Sequence, residues 1–353
     1  MLQTLIVGLG RSGLGLHLSI LRKLRHGVPG ENADLFAPEA PVGYDIRAVP
    51  VEGGTGGLRP VRSLAEARAL LDPERTVVHL CTPPRVRAEV LEELAVLGFR
   101  AILVEKPLAA DNAEVDRIRA LRDRHGLRLA VVAPWLHSTL TQRLEAAVLS
   151  GGMGALRSID IRQNKPRLTR TLQSRSHPTV FDIELPHAVG VALRLAGHGR
   201  VTEASCEDAR AGDVMVRFMG AARSSIRHDS GVVTTITSDL MSATRERTIT
   251  LRFSGGTLTG HYPVSAADSY AQLHTEVPGR PGTSDVFEDE ALTACLLQTY
   301  RDFAAGADLT AGFALQAQVV SLLTAAKRLS IRGAAAERAA DPAPVREGAV
   351  HAC

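Results

Sequence analysis

Aromatic side chains are scarce in this sequence: one tryptophan, four tyrosines and eight phenylalanines, 4% of 353 residues. A surface on which nucleic-acid bases stack has little raw material here. An excess of one charge is also missing. Lysine and arginine number 41 against 38 acids, interspersed, and a formal net charge of +3 is too weak for a nucleic-acid footprint. The cysteines, Cys81, Cys206, Cys295 and Cys353, lie far apart with no C-x-x-C pair. They build neither a disulfide framework nor a zinc site, and they suit a reducing cytoplasm. No His/Cys/Asp cluster has ligand spacing, so no metal is expected. No apolar run approaches the roughly 20 residues that span a bilayer. Met1 to Gly8 has neither a basic n-region nor a cleavage site. The expectation is a cytoplasmic protein with no membrane or nucleic-acid partner.

What is present is ordinary globular material, 45% hydrophobic and 22% charged, which excludes wholesale disorder. At roughly 150 residues per domain, the length favours two domains. Short apolar runs alternate with helical patterns through the first part of the chain, as in a parallel α/β domain. Leu5-Ile6-Val7, Val42 to Asp45, Thr76 to Cys81, Ala101 to Val104 and Leu127 to Val132 read as its strands. The Pro/Gly/Asn-rich stretch from Gly27 to Pro41 reads as a surface excursion. Ser63 with Glu66 makes a capping box for one helix, and Asp111 caps another that runs to about His125.

After Ser150-Gly151-Gly152 the texture changes to β-branched alternation: Ser158 to Ile161, Val214 to Phe218, Val232 to Thr237, Thr248 to Phe253 and Gly256 to His261. These read as antiparallel strands. Helices are expected over Pro186 to Leu195, Glu290 to Ala305 and Gly312 to Ser330. The predicted organisation is a dinucleotide-binding domain over 1–133, a second α/β domain over 134–332, and a mobile tail over 333–353.

The chemistry starts at Gly8-Leu9-Gly10-Arg11-Ser12-Gly13, between a strand and a helix. Gly8 permits the tight turn, Gly10 lets backbone N–H groups approach a pyrophosphate, and Gly13 lets helix pack on strand. The helix N-terminus then favours the anion. Asp45 stands where the second strand should read the adenine ribose; the Gly27–Pro41 excursion explains its distance from the turn. A carboxylate there accepts from the ribose hydroxyls and repels a 2′-phosphate, which argues for NAD. Arg47 keeps NADP open, because a guanidinium pairs with a 2′-phosphate.

Those glycines, then Cys81-Thr82-Pro83-Pro84 at a strand end, then Glu105-Lys106-Pro107-Leu108, and finally Ser150-Gly151-Gly152-Met153-Gly154-Ala155-Leu156 closely resemble the glucose–fructose oxidoreductase / inositol dehydrogenase / MocA family. The resemblance runs from residue 2 to about 330. It implies an N-terminal Rossmann domain, a doubly wound parallel sheet, followed by an α/β domain. That second domain has an open, mostly antiparallel mixed sheet that commonly forms homodimer or homotetramer contacts. It implies NAD or NADP, with Thr82, Pro83, Pro84, Glu105 and Lys106 beside the cofactor. Lys106 then lies next to the nicotinamide and the substrate carbinol, where an ammonium stabilises a developing alkoxide.

The family's second domain has an Asp, and four residues later a His that accepts the hydroxyl proton. Here Phe181-Asp182-Ile183-Glu184-Leu185-Pro186-His187 aligns His187 with that acceptor, but Asp182 stands five residues before it. Either Asp182 or Glu184 is the carboxylate that serves His187. Pro186 disfavours helix at Leu185, so the segment is expected to be extended, with both carboxylates on one face. Asp182 is the preferred partner. The usual upstream glycine run is replaced by Ser176-His177-Pro178, and Gly190 stands where a second Asp is common. Arg87 occupies a slot where the family often has His; it contacts cofactor or substrate, or faces water. His137, Lys165 and Arg167 fall where the family's cleft is lined, and they suit a substrate with several hydroxyls or an anionic group.

The resemblance implies an NAD(P)-dependent dehydrogenase or reductase of carbohydrate or cyclitol metabolism. It would interconvert a secondary alcohol and a ketone on a sugar, sugar nucleotide or cyclitol. Imine reduction, NAD-assisted glycoside cleavage and a non-catalytic NAD-binding regulator stay open on the same scaffold.

Overall fold

The computed structural model describes residues 1–26, 34–47, 57–173, 177–265 and 267–340, with side chains described to Ile331. Part of the Gly27–Pro41 excursion, Ser176, Cys353 and the tail beyond residue 340 lie outside the described residues. The chain divides into two units, Met1–Pro134 with Ala291–Val320, and Trp135–Glu290 with Ser321–Cys353.

The first unit is built on strands β1 (Gln3–Val7), β2 (Val42–Tyr44), β3 (Arg59–Val61), β4 (Thr76–Leu80), β5 (Ala101–Val104) and β6 (Arg128–Val131). They form one sheet in the order β3-β2-β1-β4-β5-β6. Every neighbouring pair is parallel, the doubly wound arrangement. A parallel sheet is covered on both faces, so its strands are apolar on both sides. Leu5, Val78, Leu80 and Ile102 enter the core on one face, whereas Ile6, Val77 and Leu103 enter the core on the other.

Strand β3 was not legible in the sequence. It is a short run with a proline in it, and it forms the outer edge of the sheet, where a missing N–H costs no ladder bond. Ser63 accepts from the Glu66 N–H at 3.0 Å, but the Glu66 carboxylate accepts from the Arg62 N–H at 2.8 Å, so the expected box is not closed on Ser63; Asp111 accepts from the Glu114 N–H at 3.1 Å.

One segment crosses the expected boundary. Leu296, Tyr300 and Phe303 of helix Ala291–Ala304 pack with Ile6, Val77 and Leu103, and Phe313 and Val320 join the core on the opposite face. The continuous second domain expected over 134–332 is therefore interrupted by a return to the first unit. The last helix, Thr310–Ala340, also runs past Arg332, where a mobile tail was expected. Its alanine-rich end has high intrinsic helix propensity. Among the described residues no helix is long and apolar enough to cross a membrane.

The second unit holds a larger sheet. Its strands are β7 (Leu156–Asn164), β8 (Gly199–Cys206), β11 (Ala221–His228), β12 (Val233–Asp239), β13 (Glu246–Phe253), β14 (Gly256–His261), β15 (Tyr270–Glu276) and β16 (Thr283–Glu288). Their order is β16-β15-β14-β13-β7-β12-β11-β8, and all pairs are antiparallel except β7 with β12. Val214–Val216 (β10), expected in this sheet, instead forms a separate ribbon with Ala209–Ala211 (β9). Ile159, Ile161 and Gln163 of β7 face inward with Ile249 and Leu251 of β13, while Asp160, Arg162, Thr248 and Thr250 face outward. That alternation is the mark of a sheet covered on one side only.

Candidate active site

In the first unit the sequence-predicted residues collect at the carboxyl ends of the parallel strands, where open α/β sheets bind ligands. After β1 the backbone turns at Gly8, which has φ +94°; a Cβ there would lie 2.9 Å from the Cys81 carbonyl carbon. Gly13 is closed more tightly, since a Cβ would stand 2.1 Å from the Gly8 carbonyl oxygen. Gly10 differs from both. It is the N-cap of the helix Arg11–Leu18, a wide helix of π type, with no side-chain cap, and a Cβ on it would meet nothing within 4 Å. Uncapped N–H groups beside open space are what an anion at a helix N-terminus requires.

We therefore expect Gly13→Ala to destabilise the fold by about 1–3 kcal/mol through overpacking. Gly10→Ala should leave the melting temperature unchanged and weaken dinucleotide binding about tenfold. Thermal melts and cofactor titration of both variants check this pair. Equal loss of stability in the two would remove the ligand-facing role of Gly10.

The neighbouring strand ends continue the same edge. Asp45 accepts from the Leu9 N–H at 2.8 Å and the Arg47 N–H at 2.9 Å, so its carboxylate is fixed beside the glycine turn. Burial acts to raise its pKa, but those backbone N–H groups and the Arg47 guanidinium outweigh it, and the pKa is lowered. Oδ1 also accepts from Arg47 Nε at 3.4 Å, whereas Oδ2, bonded to the Leu9 N–H, keeps a further lone pair for a ribose hydroxyl. Arg47 points to solvent, 79% exposed. Thr82 Oγ1, at the end of β4, is buried with no hydrogen-bond partner among the described residues, a group that a bound ligand would satisfy. An uncapped turn, a fixed carboxylate after the second strand and an orphan hydroxyl fit a dinucleotide.

Lys106 follows β5. The Glu105 carboxylate accepts its backbone N–H at 2.9 Å, and the Lys106–Pro107 peptide is cis. Arg87 requires a correction. It neither faces water nor reaches outward: it is 2% exposed, with its guanidinium donating to the Thr82 carbonyl at 3.0 and 3.1 Å and to the Pro107 carbonyl. Arg87 ties the turn after β4 to the turn after β5 and so fixes where Lys106 starts. Burial lowers its pKa to about 10, with Glu105 opposing, so it stays a cation at neutral pH.

In the second unit the site residues are reassigned. The segment before His187 is not extended. Val180–Asp182 is a 3₁₀ turn, and the helix Leu185–Ala196 begins directly after Glu184, with Pro186 in its first turn. Proline there gives up only an N–H that has no helical partner. Asp182, the preferred partner of His187, is used elsewhere. Its Oδ2 closes a capping box with Thr179 and its Oδ1 accepts from Lys327 Nζ at 2.8 Å.

Glu184 is the carboxylate electrostatically coupled to His187. It accepts from Lys165 Nζ, and Arg247 Nη2 lies 3.7 Å away. Burial acts to raise its pKa, but Lys165, His187 and Arg247 together bring it down to about 2. Trp135 stacks on Tyr262 (centroids 3.9 Å apart) and on His187 (6.0 Å), so an aromatic wall orients the imidazole. Arg247, Trp135 and Tyr262 were missed by sequence reasoning. Lys165 joins this group, whereas the side chain of Arg167 is buried against Thr171 Oγ1 at 3.3 Å. His137 ends the 3₁₀ turn Pro134–His137 and is half-buried.

A scan against protein-family models finds no match for this chain. Among curated proteins, the chain is 29% identical over 171 residues to a 1-carboxy-3-chloro-3,4-dihydroxycyclohexa-1,5-diene dehydrogenase from Comamonas testosteroni. That match covers 47% of this chain and 42% of the relative, so the chain spans less than half the relative's length. Among solved structures it is similar to KijD10, a 3-ketoreductase from Actinomadura kijaniata, in complex with TDP-benzene and NADP. The TM-score is 0.74 at 17% identity, over 93% of this chain and 97% of that one. An NAD binding oxidoreductase from Klebsiella pneumoniae gives a TM-score of 0.74 at 14% identity, over 94% and 96% of the chains. At such identities the likeness is one of fold. The fold of this chain, a Rossmann unit followed by a mixed sheet, is the one these oxidoreductases share.

Proposed function

We propose that the chain is an NAD(P)-dependent oxidoreductase of the glucose–fructose oxidoreductase / inositol dehydrogenase / MocA type. It interconverts a secondary alcohol and a ketone on a sugar, sugar nucleotide or cyclitol. The observation that carries this reading is the strand-end edge of the first unit. There an open, uncapped Gly10, the Asp45 carboxylate, the orphan Thr82 hydroxyl and Lys106 lie at the ends of β1, β2, β4 and β5. The relatives support it in kind. One is named as a dehydrogenase of a dihydroxylated carboxy-carbocycle, and another as a 3-ketoreductase in complex with TDP-benzene and NADP.

When bound, a nicotinamide supplies the hydride acceptor or donor. Gly8, Leu9, Gly10, Arg11, Ser12 and Gly13 hold the pyrophosphate, and Asp45 holds the ribose. Thr82, Pro83, Pro84 and Glu105 line the nicotinamide end. In oxidation the role proposed for His187 is to take the hydroxyl proton, and that proposed for Lys106 is to stabilise developing alkoxide character. Glu184, ionised throughout the working range, stabilises the imidazolium that forms. Lys165, with Arg247 and His137, favours a substrate carrying hydroxyls or an anionic group. Self-association through the open face of the larger sheet belongs to the same reading.

Asp45 sets the cofactor: its carboxylate, fixed by two backbone N–H groups, repels a 2′-phosphate while Arg47 stays in solvent. NADH is expected to bind more tightly than NADPH in fluorescence titration. NADPH binding more than about tenfold tighter would overturn the role given to Asp45.

A further inference from the structure

Neighbouring strands of the larger sheet bring two cations to one place. Lys165 stands directly after β7, where its backbone N–H donates to the Asp239 carbonyl at the end of β12 (2.8 Å). Arg247 lies on β13, and its carbonyl accepts at 2.9 Å from the N–H of Tyr262, the residue after β14. Tyr262 carries the ring on which Trp135 stacks, and Trp135 stacks in turn on His187. The cations therefore border the same aromatic wall as the imidazole.

Both side chains are anchored, and both keep donors. Arg247 Nη1 donates to the Pro263 carbonyl at 2.8 Å. Its Nη2 lies 3.7 Å from Glu184 Oε2, too far for a hydrogen bond. The rest of the guanidinium fork has no acceptor among the described residues. Lys165 donates to Glu184 Oε1, and an ammonium has further N–H groups to give. The Lys165 and Arg247 side chains are 24% and 25% exposed, whereas that of Glu184 is 8% exposed. The donors thus reach solvent, and the carboxylate does not.

Two cations share one carboxylate, so one positive charge is left uncompensated in a half-buried place. Charge held there without a partner is costly. Burial lowers the Lys165 pKa, Glu184 opposes it, and Arg247 and Arg245 lower it further, as befits an ammonium short of negative charge. Arg245 itself is exposed and tied to the Val264 carbonyl at 2.6 Å, so solvent screens it. A second observation points the same way. Gln163, the cross-strand neighbour of Arg247, is 1% exposed, and neither atom of its amide has a partner among the described residues. A polar occupant beside Arg247 would satisfy it. The charge left over is single, and an arginine fork matches two oxygens of one planar group. A carboxylate meets both conditions, whereas a diphosphate carries more charge than these cations leave over.

We propose that Arg247 and Lys165 bind a carboxylate of the substrate, so that the chain acts on a hydroxylated acid, a carboxylated cyclitol or a sugar acid, and not on a neutral polyol. That the bound acid is a substrate rests on the function proposed above; that a carboxylate binds there does not.

The probes are quinate, shikimate, glucuronate and galacturonate, each against its methyl ester, which keeps the hydroxyls and loses the charge. Calorimetric titration is done with reduced cofactor bound, so that no oxidation runs. At least one acid should bind roughly 10–100-fold more tightly than its ester. Arg247→Gln keeps a donor for the Pro263 carbonyl, and in it that ratio should fall to about one. Arg247→Lys keeps the charge and should recover part of the ratio. With oxidised cofactor, the loss in Arg247→Gln should appear in KM far more than in kcat. Equal binding of acid and ester, binding of no acid, or a ratio unmoved in Arg247→Gln overturns the proposal. Inorganic phosphate or a nucleoside-diphosphate sugar binding more tightly than every acid, and losing that in Arg247→Gln, assigns the cations to phosphate and overturns it too. If Arg247→Gln does not fold, Lys165→Gln carries the same ratio. Turnover confined to neutral polyols removes the carboxylate and leaves the proposed function standing. Arg247-dependent binding of an acid with no hydride transfer keeps the carboxylate site and counts against the proposed function.

Discussion

Lys106→Ala should lower kcat by roughly 10²–10⁴-fold, the range lost when a positioned proton-transfer or charge-stabilising group is removed, while cofactor affinity stays within a few-fold. The separation is expected because the backbone of the turn has partners of its own. The backbone N–H of Lys106 is held by the Glu105 carboxylate at 2.9 Å, and the Pro107 carbonyl is held by Arg87. Both survive truncation to alanine. Removing the ammonium therefore deletes the charge at the end of β5 and leaves the glycine turn, Asp45 and Thr82 where they were. Steady-state kinetics with a fluorescence titration of the cofactor read the two quantities independently. Retention of most of kcat would sink the assignment of Lys106, and a parallel loss of cofactor binding would make it a structural residue.

The second large effect separates the two carboxylates before His187. Glu184→Gln should lower kcat by about 10²-fold or more and shift the limb of the pH–rate profile that reports the base. Asp182→Asn should leave that profile unchanged and instead lower the melting temperature. The reason is the partners each carboxylate has. Asp182 binds Thr179 and Lys327, and breaking a buried pair by neutralising one member costs about 3–5 kcal/mol. Glu184 interacts with His187, Lys165 and Arg247, and its pKa sits at about 2. Its folded value is below the ordinary carboxylate value. Its contribution to stability is therefore complete above about pH 4.5 and is lost as the pH falls towards 2. Near neutrality it does not titrate, so any limb there belongs to another group. A crippled Asp182→Asn beside a near-normal Glu184→Gln would restore the alignment that the sequence suggested.

The strands of the first unit were legible because a parallel sheet buried on both faces demands unbroken apolar runs, and Leu5 to Val7 or Ala101 to Val104 have no other use. The glycines were legible for a sharper reason. Gly8 and Gly13 stand where a Cβ would strike backbone, and Gly10 stands where it would strike nothing. Other features depend on contacts that no local pattern encodes. Tyr300 lies 221 residues from the His79 it binds, and His17 lies 88 from Glu105. In the sequence both histidines look like isolated polar residues in apolar elements.

Arg87 shows the same limit from the other side. An arginine at a helix start reads as solvated or ligand-facing, and only the tertiary structure reveals the Thr82 and Pro107 carbonyls that it clamps. The family resemblance, which places a carboxylate upstream of the histidine, favours Asp182, and an extended segment would put both carboxylates on one face; instead Pro186 sits in the first helical turn, where it is tolerated. The short spacing between Asp182, Glu184 and His187 could not say which carboxylate was already engaged by Lys327.

Hydride exchange with a nicotinamide, proposed to take place at the end of β5, is measured directly by the formation of reduced cofactor. The protein with NAD or NADP should be followed against a panel of cyclitols, sugars and sugar nucleotides. The account predicts cofactor reduction that depends on one class of hydroxylated substrate and disappears in Lys106→Ala. Tight cofactor binding with no turnover across the whole panel would contradict it, and would leave a nucleotide-binding regulator in place of an enzyme.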